Sequence, residues 1–250
     1  SVKVNSMGEL VILDTGAGKV INVTEGIKSD DAYVELGLDN LAINSDDEVY
    51  VSSYSEGNVL KVSPGLIEKV LPGGISHAGG IAISGDDIVV ADIQSVKAYS
   101  TKDGSESWNI KNVFRVSPHG ANTAVSSFDN YVSLTSWLDN HVKIMRPDTG
   151  EIIKSLDGLN LPVSATKYND RIAVALHGNQ SITLFDANSG EENILADGLG
   201  APTHVINYGE ELLVSDRSRG EISRMDKNGS KEKVIKGWES QEGKANKDNK

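Results

Sequence analysis

Residues 39–71 read DNLAINSDDEVYVSSYSEGNVLKVSPGLIEKVL. Four short apolar or alternating runs are separated here by polar turns: Leu41-Ala42-Ile43, Val49 to Ser52, Asn58 to Val62 and Leu66 to Leu71. Ser45-Asp46-Asp47 and Ser63-Pro64-Gly65 supply the turn chemistry, since Asx and Gly tolerate left-handed backbone and Asx bonds its own chain. Period-two alternation in runs of this length predicts strands. Four antiparallel strands in some 40 residues predict one propeller blade.

The same grammar recurs along the chain. Ile81-Ala82-Ile83, Thr123-Ala124-Val125, Ser164-Ala165-Thr166 and His204-Val205-Ile206 follow Leu41-Ala42-Ile43, with central residues 40, 42, 41 and 40 apart, and Val2-Lys3-Val4 precedes it by 39. Each is followed by a turn, a second strand, an alternating third strand, a glycine turn and a fourth strand. In the first repeat the fourth strand is expected at Ala32–Leu36. Six repeats of about 41 residues fill about 246 of 250 positions, at 1–37, 38–75, 76–116, 117–158, 159–198 and 199–238. The expected fold is all-β: one six-bladed β-propeller of four-stranded antiparallel blades over residues 1–238. A polar tail at 239–250 carries no apolar residue except Ala245 and is expected to be disordered. One blade cannot bury both sheet faces, so neighbours around a ring must. First and last repeats are both nearly complete, and ring closure by packing alone is the expectation.

Composition narrows the function. The formal net charge of −12 repels phosphate backbones and anionic membrane surfaces, so no nucleic-acid partner is expected. With no cysteine, thiolate metal sites and Cys nucleophiles are excluded. No apolar run is long enough to span a bilayer. The chain opens directly in a strand-like stretch, as one that has lost a leader, or one that has been trimmed, would. An extracytoplasmic location, periplasmic or secreted, is the expectation.

In a propeller of this strand order, the loops entering strand one and those joining strands two and three share a face, the usual ligand face. The entering loops carry Asp39, Asn40, His77, His119, Asn122, Asn160 and Thr203. The strand two-to-three loops carry Asp14, Tyr54, Asp92, Gln94, Trp137, Asp139, His177, Asn179, Asp216, Arg217 and Arg219. The ligand-binding candidates are Tyr54, His77, His119, Asn122, Trp137, His177, Arg217 and Arg219. Tyr and Trp offer amphipathic contact area and Arg a carboxylate fork, the residue types enriched at binding hot spots. His77 and His119 stand 42 apart, on adjacent blades, and histidine is both a metal ligand and a general base. Asp14, Asp92 and Asp216 align, and each can equally serve to bond turn amides. No Gly-x-Ser-x-Gly elbow, His-Glu-x-x-His or phosphate loop occurs, and Asp30-Asp31 with Glu35 lacks the ligand ladder of an EF-hand.

Asp39 to Ile43, Val49 to Ser52 and Gly57 to Val62 resemble NHL-type repeats, as do Gly80 to Ile83 with Val89 to Asp92, and Leu213 to Asp216 with Gly220 to Ile222. The resemblance extends over nearly the whole chain. Relatives of that grammar include protein- and ligand-binding propellers, calcium-dependent SMP-30-like hydrolases and virginiamycin B lyase-like proteins. It implies, for the hydrolase reading, a calcium held by Asp39, Asn122 and Asn160, and for the lyase reading a channel-mouth role for His77 and His119. No complete catalytic constellation is visible on the ligand face. The preferred expectation is a non-catalytic propeller binding a protein or small molecule at the channel mouth. The alternative is a metal-dependent lactonase, hydrolase or lyase at the same place.

Overall fold

The structure, a computed structural model, describes residues 1–25, 27–35, 37–71, 73–111 and 120–236. His119 and the tail 239–250 lie outside the described residues. Blade 1 is β1 (Val2–Val4), β2 (Leu10–Asp14), β3 (Lys19–Thr24) and β4 (Ile27–Tyr33). Blade 2 is β5 (Leu38–Ile43), β6 (Val49–Ser53), β7 (Asn58–Ser63) and β8 (Leu66–Leu71). Blade 3 is β9 (Ile81–Ser84), β10 (Asp87–Asp92), β11 (Ser95–Ser100) and β12 (Glu106–Lys111). Blade 4 is β13 (Ala124–Phe128), β14 (Tyr131–Ser136), β15 (His141–Met145) and β16 (Ile152–Asp157). Blade 5 is β17 (Pro162–Tyr168), β18 (Arg171–Leu176), β19 (Ser181–Asp186) and β20 (Glu192–Ala196). Blade 6 is β21 (Pro202–Tyr208), β22 (Glu211–Asp216), β23 (Glu221–Met225) and β24 (Lys231–Lys236).

Each blade is one four-stranded antiparallel sheet in sequence order. Among the described residues no blade borrows a strand from the other end of the chain. The ring closes because β1 packs against both β5 and β21. Period-two alternation turns this into six cores, one per border. Leu10 and Ile12 of β2 face blade 6, joining Ile206, Leu213 and Ile222. Val11 and Leu13 of the same strand face blade 2, joining Leu41, Val51 and Leu60. The other four borders hold equivalent clusters. Among the described residues there is no helix, and none long and apolar enough to cross a membrane.

The structure differs from the sequence reading in two places. The fourth strand of blade 1 is Ile27–Tyr33, with Thr24 pairing with Ile27 across a tight turn. The polar run Lys28 to Asp31 concealed it, while Glu25, at φ 51°, makes the turn that glycine makes elsewhere. The alanines Ala42, Ala82, Ala124 and Ala165 do lie on innermost strands, but not in one register. Ala42 pairs with Tyr50 and Ala82 with Val89, whereas Ala124 pairs with Thr135, nearer the strand-two end. Counted from the end of strand two, the equivalent positions are Lys3, Ala42, Ala82, Ser126, Thr166 and Ile206. Bulges at the mouth ends of β5, β17 and β21 shift the count. Such bulges re-aim side chains, here Asp39 and Thr203 among them.

Candidate functional site

The aspartates that end strand two are engaged by the backbone. Asp14 accepts from its own turn, Gly16 N at 3.1 Å and Ala17 N at 3.0 Å. Asp92 accepts from Ser76 N at 3.1 Å and Gln94 N at 3.2 Å. Asp216 accepts from Gly200 N at 2.6 Å and Ala201 N at 2.8 Å. Asp139 takes Ala121 N at 2.7 Å. In blades 3, 4 and 6 the carboxylate ties the loop entering strand one to the two-to-three turn. Burial works to raise the pKa of Asp216. The amides of Gly200 and Ala201, with Ser218 and Arg219, outweigh it and hold the carboxyl below its ordinary range.

The histidines separate into distinct surroundings. His77 lies against the Tyr54 ring, centroids 4.9 Å apart and tilted by 48°. Its Nδ1 is buried without a hydrogen-bond partner. His141, 2% exposed, meets Asn122 through Nε2 at 3.0 Å, and Asn122 also donates to Gly120 O at 3.1 Å. Burial first, then the nearby Lys143 charge, pushes His141 down to about 4, so it is neutral at physiological pH. His177 caps the β18–β19 turn, its N–H donating to Leu161 O at 3.0 Å.

One cavity of about 320 Å³ opens where blades 6, 1 and 2 meet. Ile12, Leu38 and Ile222 give it apolar wall, and Asp14, Asp39, Thr203, His204, Asp216, Arg217 and Glu221 give it polar groups. Thr203 is fixed through its hydroxyl to Ser215 Oγ at 2.9 Å. Glu221, 3% exposed, is bridged by Lys231 Nζ at 2.9 Å and Lys233 Nζ at 2.5 Å. Burial would raise its pKa, and the two ammonium groups bring it below its ordinary value. Asp39 is different: none of the hydrogen bonds or ion pairs of the described residues involves it. Its surface is open to the cavity, yet protein encloses it at longer range, and this desolvation raises its pKa against the opposing charge of the Ser1 amino group. The open side of Asp39 faces the cavity that it lines. His204 is likewise open only in part, and enclosure drives it well below the ordinary histidine value, helped by the positive charges of the Ser1 amino group and Lys3. Lys3 takes a register position that is Ala42 and Ala82 in the next two blades. Burial lowers it to about 8.

The structure thus brings Asp39 and Arg217 to one cavity, and Tyr54 and His77 to one contact. Arg219 is not among the lining residues; its Nη2 donates to Gly198 O at 2.5 Å and its Nε lies 3.6 Å from Asp216. Trp137 stands 47% exposed on blade 4. The calcium set implied by the resemblance is not joined by any contact. Asp39 is on blade 2, Asn122 of blade 4 is occupied by His141 and Gly120, and Asn160 of blade 5 bonds Asn179 Oδ1 at 2.7 Å. Among the described residues no three His, Asp or Glu side chains converge in a metal-holding group. Sequence reasoning missed Glu221, Lys3 and His141. A signal existed for two of them: the residue opening strand three is polar in every blade, Lys19, Asn58, Ser95, His141, Ser181 and Glu221.

No family model matches this chain, and no curated protein matches it in sequence. Solved structures do match in fold. A streptogramin B lyase superposes with a TM-score of 0.74 at 14% identity, over 96% of this chain and 83% of that one. Virginiamycin B lyase from Staphylococcus aureus gives 0.72 at 18% identity, over 96% and 85%. A chain of a nidogen/laminin complex gives 0.73 at 17% identity, over 89% and 91%. At such identities the likeness is one of fold: a six-bladed propeller whose neighbours include lyases and a protein-binding module.

Proposed function

We propose that this chain is a non-catalytic binding propeller whose small-molecule site is the cavity at the meeting of blades 6, 1 and 2, and that it takes a ligand carrying a cationic amine on an apolar body. One observation carries this reading. A bulge aims Asp39 into that cavity with no hydrogen bond or ion pair of its own, the Ser1 amino group on the same wall acting on it only as a nearby charge. A desolvated carboxylate without a partner is costly, and a bound cation relieves it. Ile12, Leu38 and Ile222 supply the apolar wall that such pockets use for affinity, while Thr203 and Ser215 offer orienting hydroxyls. The net charge of −12 also favours the approach of cations.

The test is thermal shift and calorimetry against matched sets of primary amines, quaternary ammonium compounds and carboxylates. Cationic ligands should stabilise the wild type, and Asp39→Asn should weaken them about tenfold or more, equivalent to ~1.4 kcal/mol. Because the Asp39 pKa is raised, binding should release protons near the pH at which Asp39 titrates. Selective stabilisation by carboxylates, or retention of amine binding in Asp39→Asn, would overturn the assignment.

A second reading rests on His204, an imidazole kept neutral on the wall of the same cavity. A neutral histidine and a carboxyl of raised pKa lining one cavity are the groups general acid–base chemistry uses, and two of the structural neighbours are lyases. Turnover of any member of a lactone, ester and cyclic-depsipeptide panel, lost in His204→Gln while ligand binding persists, would favour this enzyme reading.

A further inference from the structure

A second surface lies apart from the cavity, on the border of blades 4 and 5. Trp137 and Leu138, in the β14–β15 turn, are 47% and 37% exposed, and Leu161, in the loop entering β17, is 39% exposed. These loops are joined. Leu159 N donates to Asn140 O at 2.9 Å and Leu161 N to Asn140 Oδ1 at 3.4 Å. The three exposed apolar side chains therefore belong to one shelf. Asn160, between the two leucines, extends that shelf to blade 5 through its bond to Asn179.

The shelf is held at some cost. Asn140 and Leu161 both have left-handed backbone, φ 55° and 49°. A leucine there is disfavoured by roughly 1–2 kcal/mol, and the residue before a proline is normally extended. Burial does not repay it, since the side chain is exposed. Gly178 makes the same point differently. Its backbone is not left-handed, so no turn demands glycine, but a Cβ there would collide with the Asn160 side chain. The glycine leaves room for that amide.

The chemistry of the shelf is neutral. In segments 137–140, 159–161 and 177–180 the only acidic residue is Asp139, which is already bonded to Ala121 N, and there is no lysine or arginine. On a chain of net charge −12, such a surface suits an uncharged partner. Among the described residues, Asn160 Oδ1, which lies over Gly178, and Asn179 Nδ2 have no hydrogen-bond partner, leaving one acceptor and one donor in an exposed amide pair that adjoins Leu161 in sequence. Carboxamides pair with vicinal hydroxyls, and an aromatic face packs the C–H face of a pyranose ring. We infer that the shelf formed by Trp137, Leu138, Asn160, Leu161 and Asn179 binds neutral saccharide units.

The experiment is titration of the whole chain with neutral oligosaccharides of glucose, mannose, galactose and N-acetylglucosamine, read by tryptophan fluorescence and calorimetry. At least one class should bind in the micromolar to millimolar range and perturb the emission of Trp137. Trp137→Ala should abolish binding. Asn160→Ala and Gly178→Ala should each weaken it at least fivefold, with Tyr54→Ala, on blade 2, unchanged. Matched unfolding midpoints of the variants would show that loss of binding is not loss of fold. Absence of binding by all four classes at 10 mM (a working ceiling of about −2.7 kcal/mol), or binding that survives Trp137→Ala, overturns the inference. So does concentration-dependent self-association through the shelf, or selective binding of a hydrophobic peptide in place of sugars.

Discussion

The border between blades 5 and 6 and the border between blades 6 and 1 are built from the same parts and finished differently. At the first, Tyr168 OH reaches Glu210 O at 2.8 Å. Ser164 Oγ also bridges Val205 N and O at 3.3 and 3.4 Å, over a continuous core that includes Leu184, Leu212 and Met225. At the second, the equivalent Tyr208 reaches Gly8 O only at 3.4 Å. The mouth end of that border holds the cavity of Asp39 and His204. The other end holds a second hollow, about 570 Å³, lined by Leu10, Val23, Tyr208 and Leu213. A ring closed by packing, with no strand shared between its ends among the described residues, leaves space where its first and last blades meet. The candidate ligand site occupies that space. The tightly packed border and the proposed ligand site lie on opposite sides of blade 6.

The largest effects should come from Leu212 and Leu213. They are neighbours on β22, both 0% exposed, and the pleat sends one into each border. Truncation to alanine should cost about 2–5 kcal/mol in either case, the cost depending on how far the site can collapse. Leu212→Ala, in the filled border, should fall at the upper end. Leu213→Ala, beside existing hollows, should fall at the lower end. Equilibrium unfolding in urea measures both. A larger loss for Leu213→Ala would mean that the closing border is the more tightly determined one.

Acid sensitivity sharpens the contrast next. His141 titrates near 4 in the folded chain against 6.5 when free. The unfolded state takes up the proton first as pH falls. The stability tied to the neutral imidazole is therefore complete above 6.5 and is lost between 6.5 and 4. The shift corresponds to a ceiling of about 3 kcal/mol. His141→Gln should reduce the slope over that window, leaving the part that comes from His204, whose imidazole burial also holds well below its ordinary value. The depressed carboxyl of Asp216 acts lower, its contribution fading as pH drops through the acid range. A profile unchanged in His141→Gln would place the acid-labile element at the closing border instead.

How much of this was legible in the sequence follows from what each level of structure needs. Turn residues and period-two alternation are local, so the blades could be read directly, from Ser45-Asp46-Asp47 to Asn228-Gly229. Register was harder: it is set by bulges at Asp39, Val163 and Thr203, and a bulge leaves no mark in an apolar pattern. The expectation that the mouth loops carry Asp39, Tyr54 and His77 followed from topology. That Asp39 lacks a partner while Asp216 has several depends on loop conformations that bring amides of one loop to the carboxylate of another. Lys3 shows the limit. In the sequence it is the polar middle of Val2-Lys3-Val4, and only the closed ring makes it an enclosed charge.

The smallest expected effects test the comparison most directly, because only one hydroxyl changes. Tyr168 and Tyr208 end β17 and β21 at equivalent register, pairing with Arg171 and Glu211. Tyr168 is 3% exposed, and its hydrogen bond at 2.8 Å leaves Glu210 O without that donor if the hydroxyl is removed. Tyr168→Phe should therefore cost about 1 kcal/mol, the usual net value of such a bond. The bond of Tyr208 is long and open to water, which can replace it, so Tyr208→Phe should cost less than about 0.5 kcal/mol. Isosteric substitution leaves both cores filled, so the difference reports the hydroxyl alone. If the two variants are equally destabilised, the closing border is drawn as tight as its neighbour. The hollows beside it would then be features held open by the fold, not slack left by closure.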